Sequence, residues 1–192
     1  IGLIALALAF DFLNGLHDAA NAIATVVATK LLSPVMAVLF AAFGNFAAYW
    51  LVGLHVAETV GKGIVDKDVI TPAVVFGALV GAMFWNVLTW IKGIPSSSSH
   101  ALIGGLLGAG IVHAGPGAVE ASGTLKTIAA IFVSPVLGFA IAMFLMLVTS
   151  WIFRGVQPRQ ANGMFKGLHL LSSAAYSISH GANDAQKTMG II

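Results

Sequence analysis

Residues 11 to 25 read DFLNGLHDAANAIAT, and on both sides of them the chain is almost wholly apolar. Asp11, Asn14, Asp18, Asn21 and Thr25 follow one another at steps of three and four, so a helix places all five on one face. The result is a polar stripe on a helix long enough to cross a membrane. An aspartate at the centre of a bilayer costs about 2.5 to 3.5 kcal/mol on insertion scales, so two of them require an interior destination: a cation, a partner or a water-filled cavity. Asn14 and Asn21 also fit a purely structural role, whereas Asp18 has no nearby Lys or Arg placed to neutralise it.

The rest of the chain agrees with a membrane setting. Of 192 residues, 58% are hydrophobic and 8% charged, with a mean hydropathy of +0.96, whereas a soluble domain carries about 25% charged residues. At roughly 20 residues per crossing this length allows about six crossings, which gives an all-α polytopic membrane protein. The nine basic and seven acidic residues, net charge +2, are scattered, so nothing here suits a nucleic-acid backbone. No cysteine is present, which excludes disulfides and thiolate metal sites. Asp11 and Asp18 interrupt the first apolar stretch, and no basic region precedes it, so it does not read as a signal peptide. The chain starts without methionine and stops inside an apolar run, so it is expected to be part of something longer.

Apolar length and breaker residues predict spans at 2–29, 34–57, 71–91 and 127–151, with a further one starting near 167. Residues 95–113 open with Pro95 and four serines and then turn glycine-rich, so this segment either crosses or enters and returns. Gly104 and Gly108 within it have the G-x-x-x-G spacing of a close helix contact. If 95–113 crosses, then Lys30, Lys92, Arg154, Arg159 and Lys166 share one side, which the loop-charge rule makes cytoplasmic. The first and last spans then run antiparallel. The boundaries expected are a first transmembrane repeat at 1–151, a cytoplasmic loop at 152–166 and the first helix of a second repeat at 167–192. Tyr49, Trp50, Trp85, Trp90 and Trp151 read mostly as interface anchors.

The last span carries its own stripe of Ser173, Ser177, His180, Asp184 and Lys187. Laying GLHDAANA (15–22) over GANDAQKT (181–188) matches Gly15 with Gly181, Asp18 with Asp184 and Ala19 with Ala185. Related motifs on antiparallel spans are what an inverted-topology repeat produces. Transporters built that way hold substrate and ions near the midplane, often where a helix is interrupted. Gly15 and Gly181 are candidates for such interruptions.

A third polar element is GIPSSSSHALIGG, residues 93–105. Proline and serines ahead of an apolar helix mark a helix N-terminus. Its free N–H groups, the positive end of the dipole and several hydroxyls make an anion site.

At these places the sequence resembles the Pit-type inorganic phosphate transporter family, the cation-coupled phosphate symporters. The residues that carry the resemblance are DFLNGLHDAANAIAT (11–25), AETVGKGIVD (57–66), IPSSSSHALIGGLLGA (94–109) and SHGANDAQKTMGI (179–191). The resemblance implies a multi-pass cell-membrane transporter, not an enzyme, with two inverted halves that each give one aspartate motif and one Ser/Thr-rich motif. This chain would hold the first half and the opening of the second, so its partner would be the C-terminal half of the same protein. A homodimer is compatible with the class.

The resemblance further implies that Asp18, Asn21, Asn183 and Asp184 line the central site and that Ser96, Ser97, Ser98 and Ser99 offer donors to phosphate. Two carboxylates repel a dianion, so Asp18 and Asp184 should hold Na⁺ or a proton when phosphate is bound. Na⁺ is the one bound ion expected, and no other cofactor or metal. Lys187 either pairs with Asp184 or reaches phosphate. His17 is a ligand, a proton carrier or a packing residue. Glu58 lies in a block that resembles the sodium-coupled branch, while GANDAQKTMG resembles members assigned to proton coupling, so the ion stays open. Phosphate carried as a metal complex also falls within the family.

Three other readings compete. Sulfate or another tetrahedral oxyanion fits the same serine cradle. An intramembrane hydrolase would use Ser99, His100 and Asp18, but adjacent Ser and His side chains on a helix point about 100 degrees apart. A channel or structural subunit leaves unexplained why an anion-type helix start accompanies two carboxylate stripes.

Overall fold

The computed structural model describes residues 1–51 and 63–189. Six helices account for most of them: α1 (Gly2–Ala28), α2 (Pro34–Leu51), α3 (Pro72–Lys92), α4 (Ser98–Ala114), α5 (Ala121–Ile152) and α6 (Pro158–Met189). Four of these, α1, α2, α3 and α5, are long and apolar enough to cross a membrane, and their most apolar windows have mean hydropathies of 1.3 to 2.6. The fold is the all-helical, multi-span membrane architecture expected from composition.

Local chemistry sets the ends that matter for the site. Thr71 caps α3, its Oγ1 accepting from Val74 N–H at 3.4 Å, with Pro72 in the first turn. Gly93 closes α3 at φ +64°, a left-handed backbone that glycine adopts without strain. Ser97 caps α4, its Oγ accepting from His100 N–H at 3.4 Å. Residues 94–97 therefore form a short extended link that turns the chain back from α3 into α4.

α3 and α4 form an antiparallel hairpin with α1 against it. Ala7 and Phe10 of α1, Val75, Leu79 and Ala82 of α3 and Leu102 of α4 make one buried cluster. Further along the hairpin, Val74, Ala78 and Leu106 pack with Ile64, Val65 and Ala118. The two helices come into close contact at Gly105, where a Cβ would stand 2.5 Å from the Ala78 carbonyl oxygen. Among the described residues, a Cβ at Gly104 or Gly108, the pair expected to make that contact, meets nothing within 4 Å. The rotation of α4 turns Gly105, one residue over, toward α3 in place of the Gly104 and Gly108 pair.

α6 lies antiparallel to α1 and packs on α2. A Cβ at Gly181 would collide with the Asn45 backbone, and one at Gly44 would stand 2.6 Å from the Ser177 Cβ. α1 and α6 run unbroken through Gly15 and Gly181, so neither glycine marks an interruption. At Gly181 the missing side chain serves a close approach to α2. α6 also starts at Pro158 rather than near 167, because a polar first turn extends the helix beyond the part that hydropathy detects. α5 buries no residue and carries Pro135 within it.

Candidate functional site

The site forms where α1, α6 and the start of α4 meet. Stepping three and four residues along α1 turns Asn14 and Asp18 toward α4 and α6, and the same steps along α6 turn Ser177, His180 and Asp184 toward α1 and α2. Asn14 is 3% exposed, Ser177 1% and Ser98 1%.

Asn14 holds the three elements together. Its Nδ2 donates to Asp184 Oδ2 at 3.0 Å, and its Oδ1 accepts from the Ser98 hydroxyl. Ser98 Oγ also lies 3.2 Å from Asp18 Oδ2. On the other side of Asp184, His180 Nε2 stands 3.2 Å from the same Oδ2, one helical turn back. His17 Nδ1 is 3.6 Å from Asp18 Oδ1. The ring of Tyr176 stacks on His180, with centroids 6.0 Å apart and planes at 6°.

One ligand atom each from Asp18, His180 and Asp184 lies within 4.8 Å of the others. Two unit negative charges 4.8 Å apart repel by roughly 3.5 kcal/mol at an effective dielectric of about 20. A cation or proton between the carboxylates removes that cost, and two carboxylate oxygens form a donor set suited to a hard cation such as Na⁺. The imidazole nitrogen beside them widens the set toward divalent metals.

Beside this cluster opens a cavity of about 660 Å³ lined by Asp18, Asn21, Pro95, Ser96, Ser97, Ser99, Ile103, His180, Asn183 and Asp184. It brings together most of the residues singled out from the sequence. Ser96, Ser97 and Ser99 border it at the N-terminus of α4, where the first N–H groups have no partner within the helix. Ser98, between them, is turned away onto Asn14 and Asp18. Asn21 and Asn183 line the cavity from exposed positions. The Asn183 Nδ2 is engaged by Ser179 O of its own helix at 3.0 Å. Two further cavities follow the stripes. One of about 330 Å³ is bordered by Asp11, Asn14, Asn45, His180 and Asp184. The other, about 410 Å³, is bordered by Asn21, Thr25, His169, Ser172, Ser173 and Tyr176.

Glu58 lies outside the described residues, as does the side chain of Lys187. His100 is exposed and stands apart from the cavity, and Ser98 rather than Ser99 approaches Asp18, so the serine–histidine–aspartate constellation of a hydrolase does not form. Sequence reasoning underrated three residues. Asn14 stands one turn before Asp18 and His180 one turn before Asp184, a shared spacing that could have found both. Trp85, read as an interface anchor, donates from Nε1 to Ser96 Oγ at 3.0 Å; no sequence signal marks that contact.

Comparison with known proteins places this geometry. The profile of the phosphate transporter family matches residues 14–159. A probable low-affinity inorganic phosphate transporter of Rhizobium meliloti (strain 1021) is 56% identical over 192 residues, covering 100% of this chain and 58% of that protein. A protein of the same description from Bacillus subtilis (strain 168) is 44% identical over 188 residues, 97% of this chain and 56% of the relative. Another, from Streptomyces halstedii, is 44% identical over 182 residues, 93% of this chain and 84% of the relative. The chain thus spans a little over half the length of the first two of these relatives. Among solved structures, a sodium-dependent phosphate transporter superposes with a TM-score of 0.83 over 100% of this chain and 66% of that one, at 23% identity. The common fold is therefore shared well beyond the reach of sequence.

Proposed function

The chain belongs to the phosphate transporter family, and from that premise we propose that the parent protein imports inorganic phosphate by symport with a cation, H⁺ or Na⁺. The observation that carries this reading is a single cavity in which a hydroxyl-rich helix N-terminus faces two aspartates. The helix start suits an oxyanion, because N–H groups and hydroxyls supply donors and the dipole supplies positive potential. The aspartates suit the ion whose charge must compensate the anion. Neither half works alone: a phosphate dianion beside two bare carboxylates in a poorly hydrated site is strongly disfavoured.

The sequence of events follows from that charge balance. A cation or proton at Asp18 and Asp184 cancels their charge, after which phosphate binds at Ser96, Ser97 and Ser99 with Asn21 and Asn183 beside it. The site reorients when fully loaded or empty, which is alternating access around a fixed midplane site. The antiparallel pairing of α1 and α6, with one aspartate from each at the centre, supports an inverted-repeat design. The α3–α4 hairpin, whose serine tip meets Asp18 part-way along α1, supports a re-entrant 95–113 rather than a full crossing.

His180 favours a second reading of the cargo. An imidazole nitrogen within 4.8 Å of both carboxylate oxygens suits a divalent metal better than Na⁺, in line with phosphate travelling as a neutral metal complex. The test is uptake of labelled phosphate into proteoliposomes holding the full-length protein, driven in turn by a Na⁺ gradient, a pH gradient and added divalent metal, with excess sulfate as competitor. Uptake that follows one driving ion and ignores sulfate is expected. Full competition by sulfate, or no response to any ion, would refute phosphate symport.

A further inference from the structure

From Ala121 to Asn183 the chain has no acidic residue, and its Lys and Arg side chains there are Lys126, Arg154, Arg159 and Lys166. The last three fall at the corner where α5 gives way to α6. Lys30, just past α1, belongs to the same end of the bundle, because Thr25 of α1 and His169 of α6 border one cavity. The loop-charge rule accounts for the sign of this end. It does not account for how the corner is built.

Arg154 lies just past the end of α5, and its guanidinium stands 5.5 Å from the centroid of the Trp151 ring. A guanidinium held over a ring face keeps N–H donors at its edge, in the fork that matches two phosphate oxygens. Across the turn the rings of Phe153 and Phe165 meet with centroids 4.9 Å apart and planes at 59°. That contact ties the start of α6 to the end of α5, so Lys166, next to Phe165, is carried to the same corner. Among the described residues no carboxylate pairs with Arg154 or Lys166.

A second, independent feature adjoins the corner. α5 buries no residue, and its exposed Phe144, Leu147 and Trp151, spaced by three and four, form an apolar strip that leads up to Arg154. An apolar strip ending at two cations is the complement of an amphiphile with acyl chains and an anionic head. Inorganic phosphate would fit the cations alone and leave the strip without a role.

We propose that this corner binds an anionic phospholipid: Arg154 and Lys166 take the headgroup phosphate, Trp151 sits at headgroup depth, and the acyl chains lie along Phe144 and Leu147. The site lies away from the cluster of aspartates and serines, and its ligand is not the cargo. It bears on transport through α6, since His180 stands on the same unbroken helix roughly 20 Å beyond Lys166. A headgroup that holds the corner fixes the height of α6, and with it Asp184, against α1. The lipid-binding claim is independent of the symport reading above.

The experiment titrates fluorescent phosphatidylglycerol onto the purified full-length protein in detergent, with phosphatidylcholine and inorganic phosphate as competitors. Saturable binding that neither competitor displaces is expected. Arg154→Gln and Lys166→Gln should each weaken it about fivefold and the double variant about thirtyfold, the scale set by one cation near an anionic membrane surface. Lys126→Gln, at the other end of α5, should leave binding unchanged. In proteoliposomes, phosphatidylglycerol added to phosphatidylcholine should raise wild-type phosphate uptake, and the double variant should not respond. Displacement by inorganic phosphate, an equal loss in Lys126→Gln, or wild-type binding by the double variant would overturn the lipid site. An uptake response in the double variant equal to that of wild type would overturn its coupling to α6.

Discussion

Asn14 Nδ2 donates to Asp184 Oδ2 at 3.0 Å across 170 residues of chain. An amide that gives to one aspartate while accepting from the serine beside the other fixes α1, α4 and α6 at a single buried point. No leucine or alanine can do this, and a carboxylate cannot either, since it has no N–H to give.

Asn14→Leu should therefore remove one hydrogen-bond partner from each of Asp184 and Ser98. Hydrogen bonds to charged groups are worth about 1.5 to 3 kcal/mol each, so the melting temperature of the purified full-length protein in detergent should fall and uptake should be lost. Asn14→Asp should be as inactive, because it adds a third negative charge to the cluster. Thermal-shift and uptake measurements on both variants check this, and wild-type transport by Asn14→Asp would count against a bridging role.

The packing of α3 on α4 makes a sharper prediction. A Cβ at Gly105 would stand 2.5 Å from Ala78 O, whereas one at Gly104 meets nothing within 4 Å. Gly105→Leu should prevent the hairpin from closing and sharply reduce the amount of folded protein recovered, while Gly104→Leu should cost less than about 1 kcal/mol. Size-exclusion profiles of the two variants separate the cases. Equal damage from both would mean that the contact face is drawn wrongly.

Much of this could be read from the sequence and some of it could not. Helices α1, α2, α3 and α5 follow from apolar length, and the polar stripes at 11–25 and 173–187 follow from three-and-four spacing, because both are local properties. What joins the stripes is not local. Asn14 reaches an aspartate on another helix, and the Ser98 side chain bonds to Asn14 and Asp18 of α1, which depends on the angle at which α4 leaves Ser97. Hydropathy also misplaced the start of α6, since Arg159, Gln160 and Asn162 are polar yet helical. The glycine pair at 104 and 108 shows the same limit: spacing reveals a packing motif, but which neighbouring glycine is in contact depends on the rotation of the helix.

Trp85 supplies a third prediction. Its indole N–H is the partner of Ser96, and Trp85→Phe removes that donor while keeping most of the ring. A hydrogen bond of about 1 kcal/mol corresponds to roughly a fivefold change in affinity. Half-saturating phosphate should rise by about that factor with the maximal rate little changed. Titration of uptake against phosphate checks it; an unchanged half-saturation would make the contact incidental.

In the proposed symport Asp18 carries the charge of the driving ion, and an amide of the same shape in place of its carboxylate removes that charge alone. Gradient-driven uptake of labelled phosphate by full-length Asp18→Asn in proteoliposomes is the measurement, with the amount of inserted protein measured alongside. Uptake abolished at normal insertion is the predicted result. Uptake that still follows the ion gradient would exclude that role for Asp18.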